Sequence, residues 1–345
     1  MFSAALINNP FSDPGVYVKF KYRNEAFLFD LGDLHRLQPR HILKIRNIFI
    51  SHTHMDHFIG FDYVLRVCLG RDAHISLFGP PGFIRNVESK INAYTWNLVE
   101  NYSNDFVIEV TELHPSRMTT RQYRCNEAFK GKTTCRSAKF TGTLLDRKDC
   151  LVNTVFLDHK IPSLAFSLEE KQHINIMRNS LEEMGLPQGN WLNDLKDSIM
   201  RNDPDDTPIR VPRTDAFQKA SGGNTLPLGE LKEKVVRITP GQKVSYVADA
   251  IYNKENARRI VELAQGSDLL FIEASFLDEE RNKAAEKYHL TAKQAGELAR
   301  KAGVKRIVPF HFSPKYKGQG HLLEEEALMA FEGFEDGLPP HIFSI

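Results

Sequence analysis

The chain has 345 residues, of which 41% are hydrophobic, and its 45 lysines and arginines exceed its 44 aspartates and glutamates by one. A chain of this length is large enough for one big domain with insertions or for two ordinary domains. Its near-zero net charge excludes a global field that draws the protein to nucleic acid or anionic membrane, so any polyanion binding has to be local.

The sequence gives no sign of export or membrane insertion. The segment Met1–Pro10 has no basic start and too short an apolar run for a signal peptide, and no run approaches the roughly 18 apolar residues of a membrane span. We therefore expect a cytoplasmic protein. The cysteines show no Cys-x-x-Cys spacing, and we expect reduced thiols without a chemical role. They are Cys68, Cys125, Cys135 and Cys150.

The first elements along the chain are strands that lead into a helix. We predict strands over Val16–Lys21 and Glu25–Asp30 and a buried strand over residues 48–50. The turn His52-Thr53-His54-Met55-Asp56-His57 follows directly. Apolar residues then recur at helical spacing from Phe58 to Cys68, which predicts a helix immediately after the turn.

The middle of the chain changes character. After the turn Gly79–Gly82 we predict a helix to about Val99, and then strands and loops from Asp105 to Leu157. Residues 167–235 are polar and rich in proline, with one or two short helices. We interpret residues 167–235 as an arm inserted into a single hydrolase domain that spans residues 1–345, and not as a second core.

Regular alternation of strands and helices returns after the arm. Strands are predicted at Val244–Asp249, Leu269–Glu273 and Arg306–Phe310. A helix over Lys254–Gln265 has Asn253 as its N-cap. The spacing of Thr291 and Gln294 is typical of a capping box, which predicts a further helix that ends before Gly303.

The histidine turn supplies four potential metal ligands within six residues, namely His52, His54, Asp56 and His57. Imidazole and carboxylate groups are typical ligands of zinc-like ions. His52 and His54 are two apart in an extended segment and point to the same side, whereas Asp56 and His57 lie where the chain turns into the helix. The turn is therefore predicted to serve two adjacent ions. The alternative is a polar connection with chance histidines.

Several strand-like runs elsewhere also end in a residue of a ligand type. These residues are Asp30, Asp158 with His159, Asp249, Glu273 and His311. Sites in α/β proteins collect at the carboxyl ends of strands, where side chains from distant segments converge. A single residue of this kind at a strand end is more often a satisfied polar group than a ligand, but their recurrence beside the histidine turn favours a common site.

The order of Asp30, the His52–His57 turn, His159, Asp249 and His311 resembles the five motifs of the metallo-β-lactamase superfamily. The resemblance implies an α/β fold, a four-layer αβ/βα sandwich with metals at one edge of two packed sheets. It implies one ion held by His52, His54 and His159, and a second ion held by Asp56, His57 and His311. Asp249 would bridge the two ions, and Asp30 would anchor the turn.

The carboxyl-terminal half is similar to ribonuclease Z, the endonuclease that trims the 3′ end of precursor tRNA. The similarity rests on Ile272–Phe276, Tyr288–Thr291 and His311–Tyr316, which resemble three motifs of that family. Departures fall on elements that read the substrate. Met55 replaces a usual glycine, and the Gly-Thr loop and the RNA-end element near the amino terminus are not recognisable. Hydrolysis is therefore better supported than tRNA specificity.

The mechanism that these residues suggest is hydrolysis by a metal-bound hydroxide. Asp56 would orient this hydroxide or take its proton, and His289, fixed by Glu273, would protonate the leaving group from a pKa near neutrality. Lys315 and Tyr316 are candidates for phosphate contacts. Basic residues of the arm could contact a nucleic-acid backbone, although acidic residues lie among them. They are Lys196, Arg201, Arg210 and Arg213.

We expect a phosphodiesterase that uses two zinc ions, or manganese or iron, and acts on RNA or another phosphodiester. The first alternative is a hydrolase of a cyclic nucleotide, thioester or lactone, and the second is an inactive nucleic-acid-binding scaffold. A β-lactamase is disfavoured because no cysteine occupies a candidate ligand position for the second metal. The resemblance also implies a homodimer.

Overall fold

The computed structural model describes residues 2–21, 23–130, 132–212 and 225–334. The chain divides into two compact units. Unit 1 comprises Met1–Leu145, Val152–Leu168 and Lys243–Ile345, and unit 2 comprises Asp146–Leu151 and Glu169–Gln242. In the part of the chain that the structure describes, no helix is long and apolar enough to cross a membrane.

The strands of the described residues are short, and the longest have nine residues, as is usual for globular proteins. In chain order they are β1 (Phe2–Leu6), β2 (Val16–Phe20), β3 (Ala26–Phe29), β4 (Ile45–Phe49), β5 (Ala73–Gly79), β6 (Phe106–His114), β7 (Arg117–Arg124), β8 (Lys132–Lys139), β9 (Thr143–Asp146), β10 (Cys150–Asp158), β11 (Pro162–Glu170), β12 (His173–Ile176), β13 (Pro208–Arg210), β14 (Thr225–Pro227), β15 (Val236–Thr239), β16 (Lys243–Val247), β17 (Leu269–Glu273) and β18 (Ile307–Phe310).

The helices of the described residues are also short. They are α1 (Pro39–Ile42), α2 (Met55–Phe58), α3 (Phe61–Cys68), α4 (Phe83–Asn92), α5 (Arg178–Glu183), α6 (Trp191–Met200), α7 (Leu228–Val235), α8 (Lys254–Ala264), α9 (Arg281–Glu286), α10 (Ala292–Lys301) and α11 (Gly320–Glu332). Single 3₁₀ turns occur at Val99–Asn101, Cys125–Glu127, Asp278–Glu280 and Pro314–Tyr316.

Two sheets contain most of the strands. The first follows the order β1-β2-β3-β4-β5-β6-β7-β8, and the second follows β18-β17-β16-β11-β10-β9. Strands β3 to β6 are parallel neighbours, and so are β16, β17 and β18. Because the carboxyl ends of parallel neighbours lie at the same edge, each sheet presents one edge at which chemistry can collect.

The two sheets of unit 1 pack face to face, with helices on their outer sides. Along β3, Ala26 and Leu28 pack with α3 and α4 in one buried cluster. Phe29 points the other way, where its ring lies 5.7 Å from that of Phe166 and 5.6 Å from that of Tyr246 in the second sheet. A separate buried cluster joins the outer side of the second sheet to α8, α10 and α11. The layers are therefore helices, sheet, sheet and helices, as the sequence predicted.

Most predicted elements of unit 1 are confirmed within a few residues, including both helix caps. The Asn253 side chain accepts a hydrogen bond from the Asn256 amide at 2.8 Å. Thr291 and Gln294 form both bonds of a capping box, at 3.0 and 3.2 Å. The helix predicted to reach Val99 ends at Asn92 instead.

The helix predicted over residues 58–68 is divided into α2 and α3, which meet at Gly60. This glycine packs closely against another loop. A Cβ atom at Gly60 would lie only 2.3 Å from the carbonyl oxygen of Gly32. The Gly60 amide also donates to the Leu31 carbonyl at 2.8 Å. Tertiary contact at one residue therefore interrupts a continuous helical pattern.

Unit 2 has a hydrophobic core of its own, so the prediction that residues 167–235 lack one is wrong. Helices α5, α6 and α7 pack with the antiparallel strand pairs β12–β15 and β13–β14. Trp191, Leu195 and Leu231 lie in a buried cluster of thirteen apolar residues. The apolar residues are dispersed among prolines and charges, which hides the core from a pattern-based analysis. Arg213 lies outside the described residues.

Candidate metal centre and active site

Seven predicted ligands from four separate segments converge at one edge of unit 1. They form two groups in which the ligand atoms lie within 4.8 Å of one another, namely His52, His54, His159 and Asp249, and Asp56, His57 and His311. Each segment follows a strand, β4, β10, β16 or β18, so the site collects at carboxyl ends as expected.

The first group has the spacing of ligands that share an ion. The distances from Asp249 Oδ2 to His52 Nε2 and His159 Nε2 are 3.7 and 3.5 Å. Both are too long for hydrogen bonds. Two ligand atoms that each lie about 2.1 Å from a tetrahedral ion are roughly 3.4 Å apart. The ring of His54 lies 4.4 Å from that of His52, which places it beside the same point.

The second group lies on the other side of Asp249. Asp249 Oδ1 is 3.6 Å from His57 Nε2 and 3.3 Å from His311 Nδ1. Asp56 Oδ2 is 3.5 Å from His57 Nε2 and 3.2 Å from His311 Nε2. One oxygen of Asp249 thus faces each group, as a bridging carboxylate requires.

Three buried polar atoms indicate whether the residues of this cluster could hold a metal ion. Within the described residues, His52 Nε2, His57 Nε2 and Asp249 Oδ1 have no hydrogen-bond partner. Buried polar groups are normally hydrogen-bonded, because leaving one unpaired is costly. Unpaired imidazole and carboxylate atoms that point at one another fit a site for divalent cations.

Asp30 holds the histidine turn in place through hydrogen bonds. It is fully buried and has a φ of +57°, which is uncommon for residues other than glycine. Its carboxylate accepts hydrogen bonds from the Ser51 amide at 2.6 Å, the Ser51 hydroxyl at 2.7 Å, the Tyr246 hydroxyl at 2.7 Å and His57 Nδ1 at 2.8 Å. The last bond fixes the His57 ring so that Nε2 faces the cluster.

Two further candidate ligands are oriented in the same way. His159 Nδ1 donates to the Tyr288 carbonyl at 2.7 Å, and His52 Nδ1 lies 3.0 Å from the Ser51 hydroxyl. Each contact leaves Nε2 directed at Asp249. A contact that the sequence did not predict holds the turn from the side, because Asn86 of α4 donates to the Thr53 hydroxyl at 2.7 Å.

The electrostatics of the cluster suit a cation. Burial lowers the pKa of His52 to about 2, so its imidazole is in the neutral form that binds metals. Burial raises the pKa of Asp249, but His311 and His57 outweigh burial and hold this pKa well below the usual value. Burial lowers the pKa of His57, but the carboxylates of Asp249 and Asp30 outweigh burial and raise this pKa well above the usual value. The negative field that stabilises this imidazolium also attracts a cation.

His289 and Glu273 form the predicted pair at the edge of the cluster. His289 Nδ1 lies 2.9 Å from Glu273 Oε2. Glu273 is fully buried and accepts further bonds from the Ser275 hydroxyl at 2.8 Å and the Ala250 amide at 2.7 Å. These hydrogen bonds fix the position of the Glu273 carboxylate, which in turn orients the His289 ring. A third potential metal group contains Asp249, Glu273, His289 and His311, but the short His289–Glu273 contact favours an acid-base pair.

The pKa of His289 differs from the prediction of a value near neutrality. Burial lowers the pKa, but the Glu273 carboxylate outweighs burial and raises it to about 9. The direct contact at 2.9 Å makes the carboxylate dominant.

A cleft of about 440 Å³ opens beside the cluster. Asp56, His289 and His311 line this cleft, and Phe11, Phe276 and Phe312 provide apolar walls. The remaining charged residues that line the cleft are Asp13, Lys283 and Lys287.

Lys315 and Tyr316 are not among the described residues that line this cleft. Tyr316 is buried, and its hydroxyl donates to Glu280. Lys315 Nζ forms an ion pair with Glu280 at 2.5 Å. Both side chains are therefore directed to Glu280 and not to this cleft. The lysines that do reach the cleft, Lys283 and Lys287, were missed, although their spacing of four residues places them on one helix face.

The basic residues of unit 2 have mixed surroundings. Burial lowers the pKa of Lys196, and Arg201 is bound to Asp203 at 2.6 Å. Arg210 is exposed at the end of β13.

Comparisons with known proteins support this architecture. A model of the beta-lactamase superfamily domain matches residues 225–312. Ribonuclease Z of Deinococcus radiodurans is 26% identical over 322 residues, which cover 92% of each chain. Human tRNase Z, short form, superposes with a TM-score of 0.52 at 18% identity and covers 92% of this chain and 94% of its own. The metallo-β-lactamase fold protein YhfI from Bacillus subtilis gives 0.55 at 14% identity, covering 96% and 95%. The predicted metallo-β-lactamase fold is therefore confirmed.

Proposed function

We propose that this chain, which is ribonuclease Z-like in sequence and has the metallo-β-lactamase fold, is a dinuclear metal-dependent phosphodiesterase that cleaves RNA in tRNA 3′ processing. Relatives named ribonuclease Z match about nine-tenths of the chain, and the fold is shared with human tRNase Z. The chain is accordingly a metal-dependent hydrolase, with RNA as its substrate class.

The observation that carries the proposal is the position of Asp249 between two ligand groups. Its Oδ2 faces His52 and His159, and its Oδ1 faces His57 and His311. Five histidines and two carboxylates favour zinc over magnesium, with manganese or iron as alternatives. Two ions held in this way would lower the pKa of a bound water to about 7 and stabilise charge on the phosphate.

The protein groups supply the proton transfers. Asp56, whose pKa is lowered by its hydrogen bond with His311 although burial opposes this, is ionised and accepts the proton of the attacking water. The water oxygen then bonds to phosphorus while the bond to the leaving ribose oxygen breaks. His289 lines the cleft, and its nitrogen that is not bound to Glu273 gives a proton to this leaving oxygen.

Two further parts of the proposal come from the sequence. The cytoplasmic location is an expectation from the sequence, and the homodimer is implied by the resemblance to ribonuclease Z. Both belong to the proposal and await measurement.

A second candidate function is hydrolysis of a small phosphodiester such as a cyclic nucleotide. The cleft of about 440 Å³ lies in the size range of small-molecule sites. Its aromatic walls would suit a single nucleotide. An inactive scaffold is disfavoured because a binding module has no need for the locked His289–Glu273 pair.

A substrate comparison tests the proposal. Purified protein is assayed with a precursor tRNA transcript, bis(p-nitrophenyl) phosphate, a cyclic nucleotide, and a thioester and a lactone. The proposal predicts cleavage of the transcript after the discriminator base and of the small diester, with both lost in His54→Ala. Cleavage of only the thioester or lactone would exclude a phosphodiesterase, and cleavage of only the cyclic nucleotide would favour the second candidate.

A further inference from the structure

We propose that Lys283 and Lys287 bind the phosphate next to the scissile one, and that the site thereby prefers a polynucleotide strand over an isolated phosphodiester. This inference rests on the proposed phosphodiesterase function and assigns a role to two residues that the metal chemistry does not use.

The two lysines add positive charge to the cleft that several candidate metal ligands also line. Lys283 lies on α9, and Lys287 follows the last residue of this helix. Both line the cleft together with Asp56, His289 and His311. Because His289 is only two residues beyond Lys287, the two lysines and the proposed general acid belong to one continuous segment.

The charges of both lysines are available to a ligand. Within the described residues, Lys287 has no ion-pair partner. Lys283 Nζ is 3.8 Å from Glu280 Oε1, and its side chain is half exposed. The other oxygen of Glu280 is already engaged by Lys315 and Tyr316. An exposed pair at this distance is weak, so a phosphate can displace it.

The apolar walls of the cleft present aromatic rings that the rest of a nucleotide can contact. The ring centroids of Phe11 and Phe312 are 5.3 Å apart in an edge-to-face arrangement, and Phe276 lies near His289, with ring centroids 6.2 Å apart. Aromatic faces and edges accept bases and ribose without sequence preference. With the scissile phosphate at the ligand cluster, the cleft therefore offers a path to a neighbouring nucleotide whose phosphate meets the lysines.

The test compares two substrates and five variants, one of which is a control. Lys283→Ala, Lys287→Ala and the double variant are assayed with a precursor tRNA transcript and with bis(p-nitrophenyl) phosphate, each over a range of salt concentrations. Lys287→Arg retains the charge. The matched control is Lys301→Ala, because Lys301 is an exposed lysine at the end of α10 and is not among the described residues that line the cleft.

We expect the double variant to lose about tenfold or more in kcat/KM on the transcript, mainly through KM. The dependence of log kcat/KM on log salt should become shallower by about one. Hydrolysis of the small diester should not change, Lys287→Arg should retain activity on RNA, and the control should match the unmodified protein.

Two results would overturn the inference alone. One is an unchanged rate and salt dependence on RNA, and the other is a parallel loss on both substrates, which would indicate a structural role. If the unmodified protein cleaves bis(p-nitrophenyl) phosphate but not RNA, the proposed RNA substrate fails and this inference fails with it. Failure of the small diester as well would instead contradict the phosphodiesterase assignment.

Discussion

His289 is the residue at which the chemistry of the leaving group should be visible. It touches Glu273 at 2.9 Å and lines the cleft. We predict that His289→Ala lowers kcat on an RNA transcript by roughly 10²- to 10⁴-fold. Hydrolysis of bis(p-nitrophenyl) phosphate should fall much less, because p-nitrophenolate departs without a proton. An equal loss on both substrates would argue against the role of a general acid, and metal analysis of the variant provides the control.

Tyr246 is a residue that stabilises the site through Asp30. Its hydroxyl donates to the buried Asp30 carboxylate at 2.7 Å. Tyr246→Phe removes this donor from a buried charge, and we predict a loss of about 1–3 kcal/mol in the free energy of unfolding, measured with urea. Tyr17→Phe is the control, because its hydroxyl donates to a carbonyl at 3.2 Å in a partly buried place. Equal stability of Tyr246→Phe and the unmodified protein would refute the importance of this bond.

The sequence was most informative about individual site residues. Residue type and order suffice to select candidate ligands that the structure then brings together, since metal-ligand residue types are chemically distinctive. They are His52, His54, Asp56, His57, His159, Asp249 and His311. The same reasoning failed for Lys315 and Tyr316, because adjacency to a ligand in the chain does not determine the direction of a side chain. Their contacts with Glu280 depend on a distant turn.

At the scale of elements, Gly60 controls how the histidine turn joins the following helix. A Cβ atom there would lie 2.3 Å from the Gly32 carbonyl oxygen and 2.8 Å from Leu34. We predict that Gly60→Ala costs about 1–3 kcal/mol of stability and weakens metal binding, since the loop of Gly32 also touches Asp56.

Thermal unfolding and metal content of Gly60→Ala would check this prediction. Gly189→Ala is a matched control, because the nearest atom to its added Cβ would be 3.5 Å away, an ordinary contact. The account of the α2–α3 junction would be contradicted if the two variants were equally stable.

Elements were predictable where their pattern was local and apolar. Strands β3, β16, β17 and β18 are short apolar runs and were recognised. Helix α9 was not, because only Ala284 of its six residues is buried, which leaves no apolar stripe to detect. The interruption at Gly60 was equally invisible, since it depends on contact with a loop nearly thirty residues earlier in the chain.

At the scale of the whole molecule, bound metal should contribute to the stability of the fold. Asp30 and Asp249 are buried carboxylates, and Asp249 Oδ1 has no hydrogen-bond partner within the described residues. We predict that chelation lowers the melting temperature and that zinc restores it. A ligand at a thousand times its dissociation constant contributes about 4 kcal/mol. An unchanged melting temperature after verified metal removal would contradict this expectation.

The layered architecture could be anticipated as a whole, but its division into units could not. The resemblance of the motif order implied two packed sheets, and the rings of Phe29, Phe166 and Tyr246 realise that contact. The core of unit 2 is assembled from apolar residues scattered over several short elements. Such a core is defined only after the chain has folded, so a proline-rich segment was interpreted as having none.

If two metal ions share Asp249, as proposed, the stoichiometry of metal per chain should reveal both of them. Protein freed of metal and then dialysed against zinc should contain about two ions per chain by elemental analysis. Asp249→Ala, which removes the shared carboxylate, should contain one or none and lose hydrolysis of bis(p-nitrophenyl) phosphate. A ratio of one or less in the unmodified protein, or full activity and unchanged metal content in Asp249→Ala, would contradict the claim.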